Sequence, residues 1–215
     1  MRTRVVKIDA NLIEDPNVQK ELRRAADVIL NGGLVVFPTE TVYGLICDWD
    51  DEEARKKIYD LKHRSPTKLF AAFVPDVSVA ETLCGSPLPP AAKRLAEKFM
   101  PGAITLIVPD KNGATFGFRI PDHPFILDLL KHYNGALAST SANLSGEPPA
   151  LDLPTALRTI DGTPAGAVDG GALPEDSVPS TIIQVTADNQ VKIIREGLIK
   201  SGKIMAELKI SQEKQ

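Results

Sequence analysis

The hexapeptide Thr115-Phe116-Gly117-Phe118-Arg119-Ile120 limits the folds open to this chain more than any other stretch. In an extended strand successive side chains point to opposite faces, so Phe116, Phe118 and Ile120 share one face and Thr115, Gly117 and Arg119 the other. The first face belongs in a hydrophobic core. The second carries a hydroxyl, a bare backbone and a guanidinium, and suits either a polar cleft or the solvent side of an edge strand. A glycine there lets a ligand approach the main chain closely.

The rest of the chain supplies partners for such a strand. Short apolar runs at 3–9, 34–37, 69–74, 103–109 and 135–139 read as further strands. Asp15-Pro16 opens a helix with Val18, Leu22, Ala25 or Ala26, and Ile29 at helical spacing, and Asn31-Gly32-Gly33 ends it. Helices are expected over 51–62, with Ala54, Ile58 and Leu61 inward, from Asp76 onward, over 90–100 and over 124–132. The stretch 145–165, rich in Pro, Gly and Asp, reads as a surface loop. Residues 179–185 and 191–195 read as a hairpin turning at Asp188-Asn189, before a terminal helix or frayed tail. Strands and helices mix without a regular βαβ rhythm, which predicts one α/β (mixed α+β) domain with a twisted mixed sheet.

Composition excludes several classes of function. Of 215 residues, 43% are hydrophobic and 25% charged, with a net charge of −3, so a general nucleic-acid coat is not expected, although a local basic cleft is allowed. The only cysteines, Cys47 and Cys84, lack CxxC spacing, and the histidines number three, so neither a disulfide framework nor a structural zinc site is expected. No apolar run is long enough to span a membrane, and the N-terminal residues do not form a signal-peptide pattern; the reading is reducing cytoplasm. GxGxxG, HExxH and GxSxG are absent. Gly197 to Lys203 fits GxxxxGK, but Ile204 stands where a phosphate-binding loop needs Ser or Thr, and the match is rejected.

Two clusters remain. Lys62-His63-Arg64-Ser65-Pro66-Thr67-Lys68 follows a helix that the proline should stop near Lys62. The irregular stretch beyond can turn its three cations Lys62, Arg64 and Lys68 toward one anion, or can simply be a solvated helix C-terminus. Ser139-Thr140-Ser141-Ala142-Asn143 follows a buried strand; if extended, Ser139, Ser141 and Asn143 share a face, though small polar residues before Gly146 also make ordinary turns.

The order of these motifs is informative. PTETVYGL, Lys62-x-Arg64, Pro101-Gly102-x-x-Thr105, Thr115-x-x-x-Arg119-x-Pro121, Ser141-Ala-Asn143-x-Ser145-Gly146, Ser180-Thr181 and Arg195-x-Gly197 together resemble the YrdC-like family of threonylcarbamoyl-AMP synthases. The resemblance covers about 15–200. It implies a single catalytic domain over 1–215, without the added C-terminal domain of longer relatives, and a deep, positively lined cleft. It also implies synthesis of threonylcarbamoyl-AMP and pyrophosphate from L-threonine, bicarbonate and ATP, with Mg²⁺ accompanying the nucleotide. The product would serve a downstream threonylcarbamoyl-transferase in transfer-RNA modification, and RNA binding is a family expectation. Carried over, Thr41, Phe73, Arg119, Ser139 and Ser180 surround threonine; Phe73 stands where some relatives have histidine. Arg64, Lys68, Thr115, Ser141, Pro149 and Arg195 surround ATP, and Lys62, Arg64, Ser141 and Asn143 form the catalytic set. A non-catalytic RNA-binding member of the same fold is the alternative.

Overall fold

The computed structural model describes residues 3–9, 12–133 and 135–210. Its strands are β1 (Arg4–Lys7), β2 (Val35–Phe37), β3 (Gly44–Asp48), β4 (Ala71–Phe73), β5 (Ile104–Pro109), β6 (Thr115–Arg119), β7 (Leu137–Ser141), β8 (Gly166–Asp169), β9 (Thr181–Val185) and β10 (Val191–Arg195). They form one ten-stranded sheet in the order β1-β8-β2-β3-β7-β4-β6-β5-β9-β10. Pairing is mixed: β4 runs parallel to β6 and β5 to β9, whereas β3, β4 and β5 run antiparallel to β7, β7 and β6. The expected mixed α/β domain is the one observed.

The helices begin where capping chemistry places them. Asp15 accepts hydrogen bonds from Asn17 N and Val18 N at the start of α1 (Pro16–Leu30), which buries Val18, Leu22, Ala26 and Ile29. Asp51 and Asp76 cap α2 (Glu52–Leu61) and α3 (Val77–Cys84) in the same way. The other helices are α4 (Pro90–Phe99), α5 (Pro124–Tyr133), α6 (Leu153–Arg158) and α7 (Ser201–Ile210).

Alternate strand residues enter separate cores. Val35 and Phe37 pack with α1 and α5, while Val36 between them packs with α2 and α6. This half of the sheet is thus covered on both faces, so its strands read as continuous apolar runs. In the other half, Phe116 and Phe118 pack with Ala80, Leu95 and Ile204 on one face only. On the opposite face, Leu137 of β7 and Phe73 of β4 enter the core that α1 and α5 cover, and beyond them Ser139, Ala71, Gly117, Ile107 and Ile182 form the floor of a cleft.

Three sequence expectations need correction. The stretch 145–165 holds α6 and buries Ala150, Leu153, Ala156 and Ile160. Its turn-forming residues obscured a helix only six residues long, which Asp152 caps by accepting from Thr155 N. Strands β3 and β8 were not expected; GLICD and GAVD are short, buried and too small or mixed to show a period. The strand expected at 135–139 lies at Leu137–Ser141, because it pairs along its length with β3, Asp48 opposite Leu137 and Gly44 opposite Ser141. The rejected GxxxxGK segment is structural: Ile204 is fully buried in the core, and a Cβ on Gly197 would lie 2.1 Å from Pro179 O.

Among the described residues, no helix is long and apolar enough to cross a membrane, and no group of three or more His, Cys, Asp and Glu could hold a metal ion.

Candidate active site

Strand register builds the cleft floor. Ser139 lies opposite Ala71, Ala71 opposite Gly117, and Gly117 opposite Ile107, so one transverse row crosses four strands and is made of small residues on the first three. The next row brings Phe73 opposite Arg119. Above the floor is a cavity of about 490 Å³, ample for a small-molecule ligand. Thr41, Arg64, Lys68, Phe73, Thr115, Arg119, Ser139, Ser141, Ser180 and Arg195 all line it, from segments up to 154 residues apart in the chain (Thr41 to Arg195). The polar-cleft reading of the Thr115–Gly117–Arg119 face, rather than the solvent reading, is the one the fold adopts.

Lys62, Asn143 and Pro149 lie outside the lining. Lys62 caps the end of α2 and is only 1% exposed, its ammonium donating to the carbonyl oxygens of Ser141 and Asn143. Burial, then the neighbouring charges of Arg64 and Lys68, push its pKa down to about 8. The three cations of the 62–68 cluster therefore part: two face the cleft and one is turned inward by the carbonyls. Asn143 follows the end of β7, where the chain bends, and its amide donates to Leu144 O and Glu147 O at 2.9 and 2.7 Å. It therefore does not share the cleft face of Ser139 and Ser141.

The cleft has two chemically different ends. At one, Arg64 is fixed by Lys68 O and Leu69 O (3.3 and 2.7 Å) and lies over the Phe70 ring, and Lys68 reaches Ser145 Oγ at 3.3 Å. Arg195 belongs instead beside Arg119: it donates twice to Ser180 O and lies opposite Ile182, itself opposite Thr105. A register irregularity between Ile193 and Arg195 lets both Ile194 and Arg195 reach the cavity, where a regular strand would send them to opposite faces. Burial, and secondarily Arg119, lowers the Arg195 pKa, the signature of cations gathered out of water.

At the other end the hydroxyls and Arg119 interlock. Thr39 Oγ1 donates to Val42 O (2.6 Å), so Thr41 must donate in the Thr41–Thr39 contact of 2.9 Å. Thr41 Oγ1 in turn accepts from Arg119 Nη1 and Nη2, both at 3.2 Å, which occupies its proton and both lone pairs. Ser180 pairs with Thr105 at 2.8 Å. Ser139 has no hydroxyl partner among the described residues and is free to meet a ligand. Arg119 Nε donates to Gly102 O (3.0 Å) and Nη2 to Glu40 Oε1 (2.6 Å). Sequence reasoning gave Glu40 no role, although it sits between Thr39 and Thr41 in a turn joining two buried strands.

His123 neighbours this pair with its Nδ1 buried and unpartnered. Burial pushes its pKa down to about 4, with Glu40 opposing and Arg119 adding to the effect. Between pH 6.5 and 4 the unfolded chain binds a proton that the folded protein refuses, so stability falls as pH drops through that window. The loss should approach no more than about 3 kcal/mol at pH 4. Denaturant midpoints at pH 7.5 and 4.5 should differ less in His123→Asn; an identical difference in variant and wild type would contradict the assignment.

A cleft on a mixed sheet, lined by Arg64, Lys68, Arg119, Arg195 and hydroxyl side chains, has the chemistry to receive small anionic molecules. The family model Sua5_yciO_yrdC, described as "Telomere recombination", matches residues 27–197, and the chain belongs to this family. Threonylcarbamoyl-AMP synthase of Bacillus subtilis is 37% identical over 196 residues, covering 86% of this chain and 56% of that protein. The protein of the same name from Chromohalobacter salexigens is 34% identical over 177 residues, covering 77% of this chain and 94% of its own. P. abyssi Sua5 complexed with L-threonine superposes with a TM-score of 0.83 at 28% identity, covering 97% of this chain and 61% of that one. This chain thus spans little more than half the length of the Bacillus relative.

Proposed function

We propose that this protein is an L-threonylcarbamoyladenylate synthase, a nucleotidyltransferase acting in the cytoplasm to supply a threonylcarbamoyl-transferase that modifies transfer RNA. The observation that carries the reading is one continuous cleft lined by Arg119, Arg195 and hydroxyls together with Arg64 and Lys68. The names of the relatives, and the threonine-bound P. abyssi structure, support it.

The chemistry asks for positioning more than for a protein nucleophile. The amine of threonine takes up bicarbonate with loss of water to give a carbamate. A carbamate oxygen then attacks the α-phosphorus of ATP, and the bond to pyrophosphate breaks. Arg119 and Ser139 would hold the amino acid; Arg64, Lys68 and Arg195 would balance phosphate charge that grows on the leaving group. Mg²⁺ usually binds through substrate phosphates and water, which suits a cavity lined by no carboxylate among the described residues. The hydroxyls of Thr115 and Ser141, which line the same cavity, would be the ligands this chain could offer it, and the ion would neutralise phosphate charge.

Pyrophosphate release should require L-threonine, bicarbonate and ATP together. Charge-assisted hydrogen bonds are worth roughly 1.5–3 kcal/mol each, so Arg64→Ala should weaken ATP binding at least tenfold in calorimetry. Unchanged affinity would remove Arg64 from the nucleotide site. Valine should be used far less well than threonine or serine, because a site that hydrogen-bonds a hydroxyl rejects analogues lacking it. With Thr41 and Ser180 already engaged, Ser139→Ala should erase most of that preference; equal pyrophosphate release with valine and threonine in wild type would contradict it. RNA retention without any pyrophosphate formation would instead favour the non-catalytic RNA-binding reading.

A further inference from the structure

Arg119 has five N–H donors, and the protein itself engages four of them. Nε goes to Gly102 O, one N–H each of Nη1 and Nη2 to Thr41 Oγ1, and the other Nη2 N–H to Glu40 Oε1. Both two-pronged faces of the guanidinium are therefore taken: the end-on face by Thr41, the side-on face by Gly102 and Glu40. One N–H on Nη1 remains. The two-pronged grip on an incoming carboxylate that the sequence suggests for Arg119 is closed in this state.

Glu40 is more than a passive counter-charge. Its Oε1 also accepts from Asp122 N at 2.8 Å, so one oxygen ties the turn between β2 and β3 to the end of β6 and the approach to α5. Its Oε2 is buried without a partner. The Arg119 side chain is 5% exposed, and Glu40 is the carboxylate paired with it among the described residues. The guanidinium thus faces the cleft with its charge already balanced.

We propose that Glu40 is a positioning residue that acts through Arg119 as an internal competitor, setting how tightly the cleft holds the carboxylate of an amino-acid ligand. The inference rests on the amino-acid reading of this end of the cleft. A ligand carboxylate must share one guanidinium with Glu40 or displace it, and two carboxylates at one cation repel each other. The threonine carboxylate survives unchanged into the threonylcarbamoyl product, so the same competition weakens the hold on product and favours its release.

Glu40→Gln tests this while keeping shape. The amide oxygen can still accept from Arg119 and Asp122 N, but the competing charge is gone. By titration calorimetry Glu40→Gln should bind L-threonine about tenfold more tightly than wild type, with a steeper salt dependence. L-threoninamide, which lacks the carboxylate, should bind both proteins alike. Unchanged or weaker L-threonine binding, equal tightening for threoninamide, or no L-threonine binding by either protein overturns the proposal. Because removing the charge leaves a buried arginine less well balanced, a second measurement uses the wild type alone. L-threonine should shift the carboxyl ¹³C resonance of Glu40 and threoninamide should not; a resonance that ignores both ligands, or follows both equally, overturns the proposal as well. Pyrophosphate release reports separately on the synthase reading. A protein that makes no pyrophosphate but shows the tightened threonine binding keeps the inference and loses the reading, and the reverse pattern does the opposite.

Discussion

Lys62→Met should lower stability by about 1–3 kcal/mol and weaken ATP binding with it. The substitution keeps much of the side-chain volume but leaves Asn143 O without its donor, while Ser141 O keeps only the bond from Asn143 N at 3.1 Å. Each buried acceptor left unsatisfied costs about 1–3 kcal/mol, offset in part by removing a desolvated ammonium. The nucleotide end suffers indirectly. Lys62 O accepts from Ser145 N at 2.9 Å, and Ser145 Oγ is the partner of Lys68, so the loop that carries Ser141 and Ser145 is anchored on Lys62. Arg64→Ala should behave differently, losing ATP affinity with little change in melting temperature, because Arg64 lies at the cleft surface and holds its own local turn. Melting curves and ATP titrations on both variants decide the matter. A Lys62→Met protein with a wild-type melting temperature and no ATP binding would mean that Lys62 touches the nucleotide directly.

The two faces of β6 should separate stability from binding. Phe118 is fully buried between α4 and the sheet and stacks with Phe116, so Phe118→Ala should cost about 3–5 kcal/mol. One residue away, Gly117 looks into the cleft. A Cβ there would meet Phe70 O at 3.5 Å and Ile107 Cγ1 at 3.9 Å, ordinary contacts, so the fold accepts a side chain at this position. Gly117→Val should therefore stay folded, with a melting temperature near that of wild type, while its branched methyls occupy the cleft floor and abolish binding of both amino acid and nucleotide. Binding that survives in Gly117→Val would place the ligands elsewhere. A folded Phe118→Ala protein of wild-type stability would reverse the assignment of the faces.

Much of this architecture is local and so was legible in the chain. Helix starts at Asp15, Asp51 and Asp76 depend on a side chain meeting amide groups two or three residues ahead. The period of two in Thr115–Ile120 fixed which residues could face a ligand before any partner strand was known. The turn at Asn189, with φ of 63°, follows from the tolerance of asparagine for left-handed backbone. Elements were missed where the local signal was short or masked, as in α6 among its prolines and glycines and in the small residues of β8.

The site's inner chemistry was decided by tertiary structure, because it depends on distances between segments remote in sequence. That Lys62 turns inward follows from two carbonyls about 80 residues away, the separations being 79 and 81. That Arg119 keeps one free donor follows from Glu40, 79 residues before it, and Thr41, 78 before it. Alternation can say that an arginine points to a polar face; it cannot say how many of its donors are already engaged there. A strand's own pattern determines which way a side chain points, whereas its hydrogen-bond partners and the balance of its charge are set by the register of strands that sequence order does not place side by side.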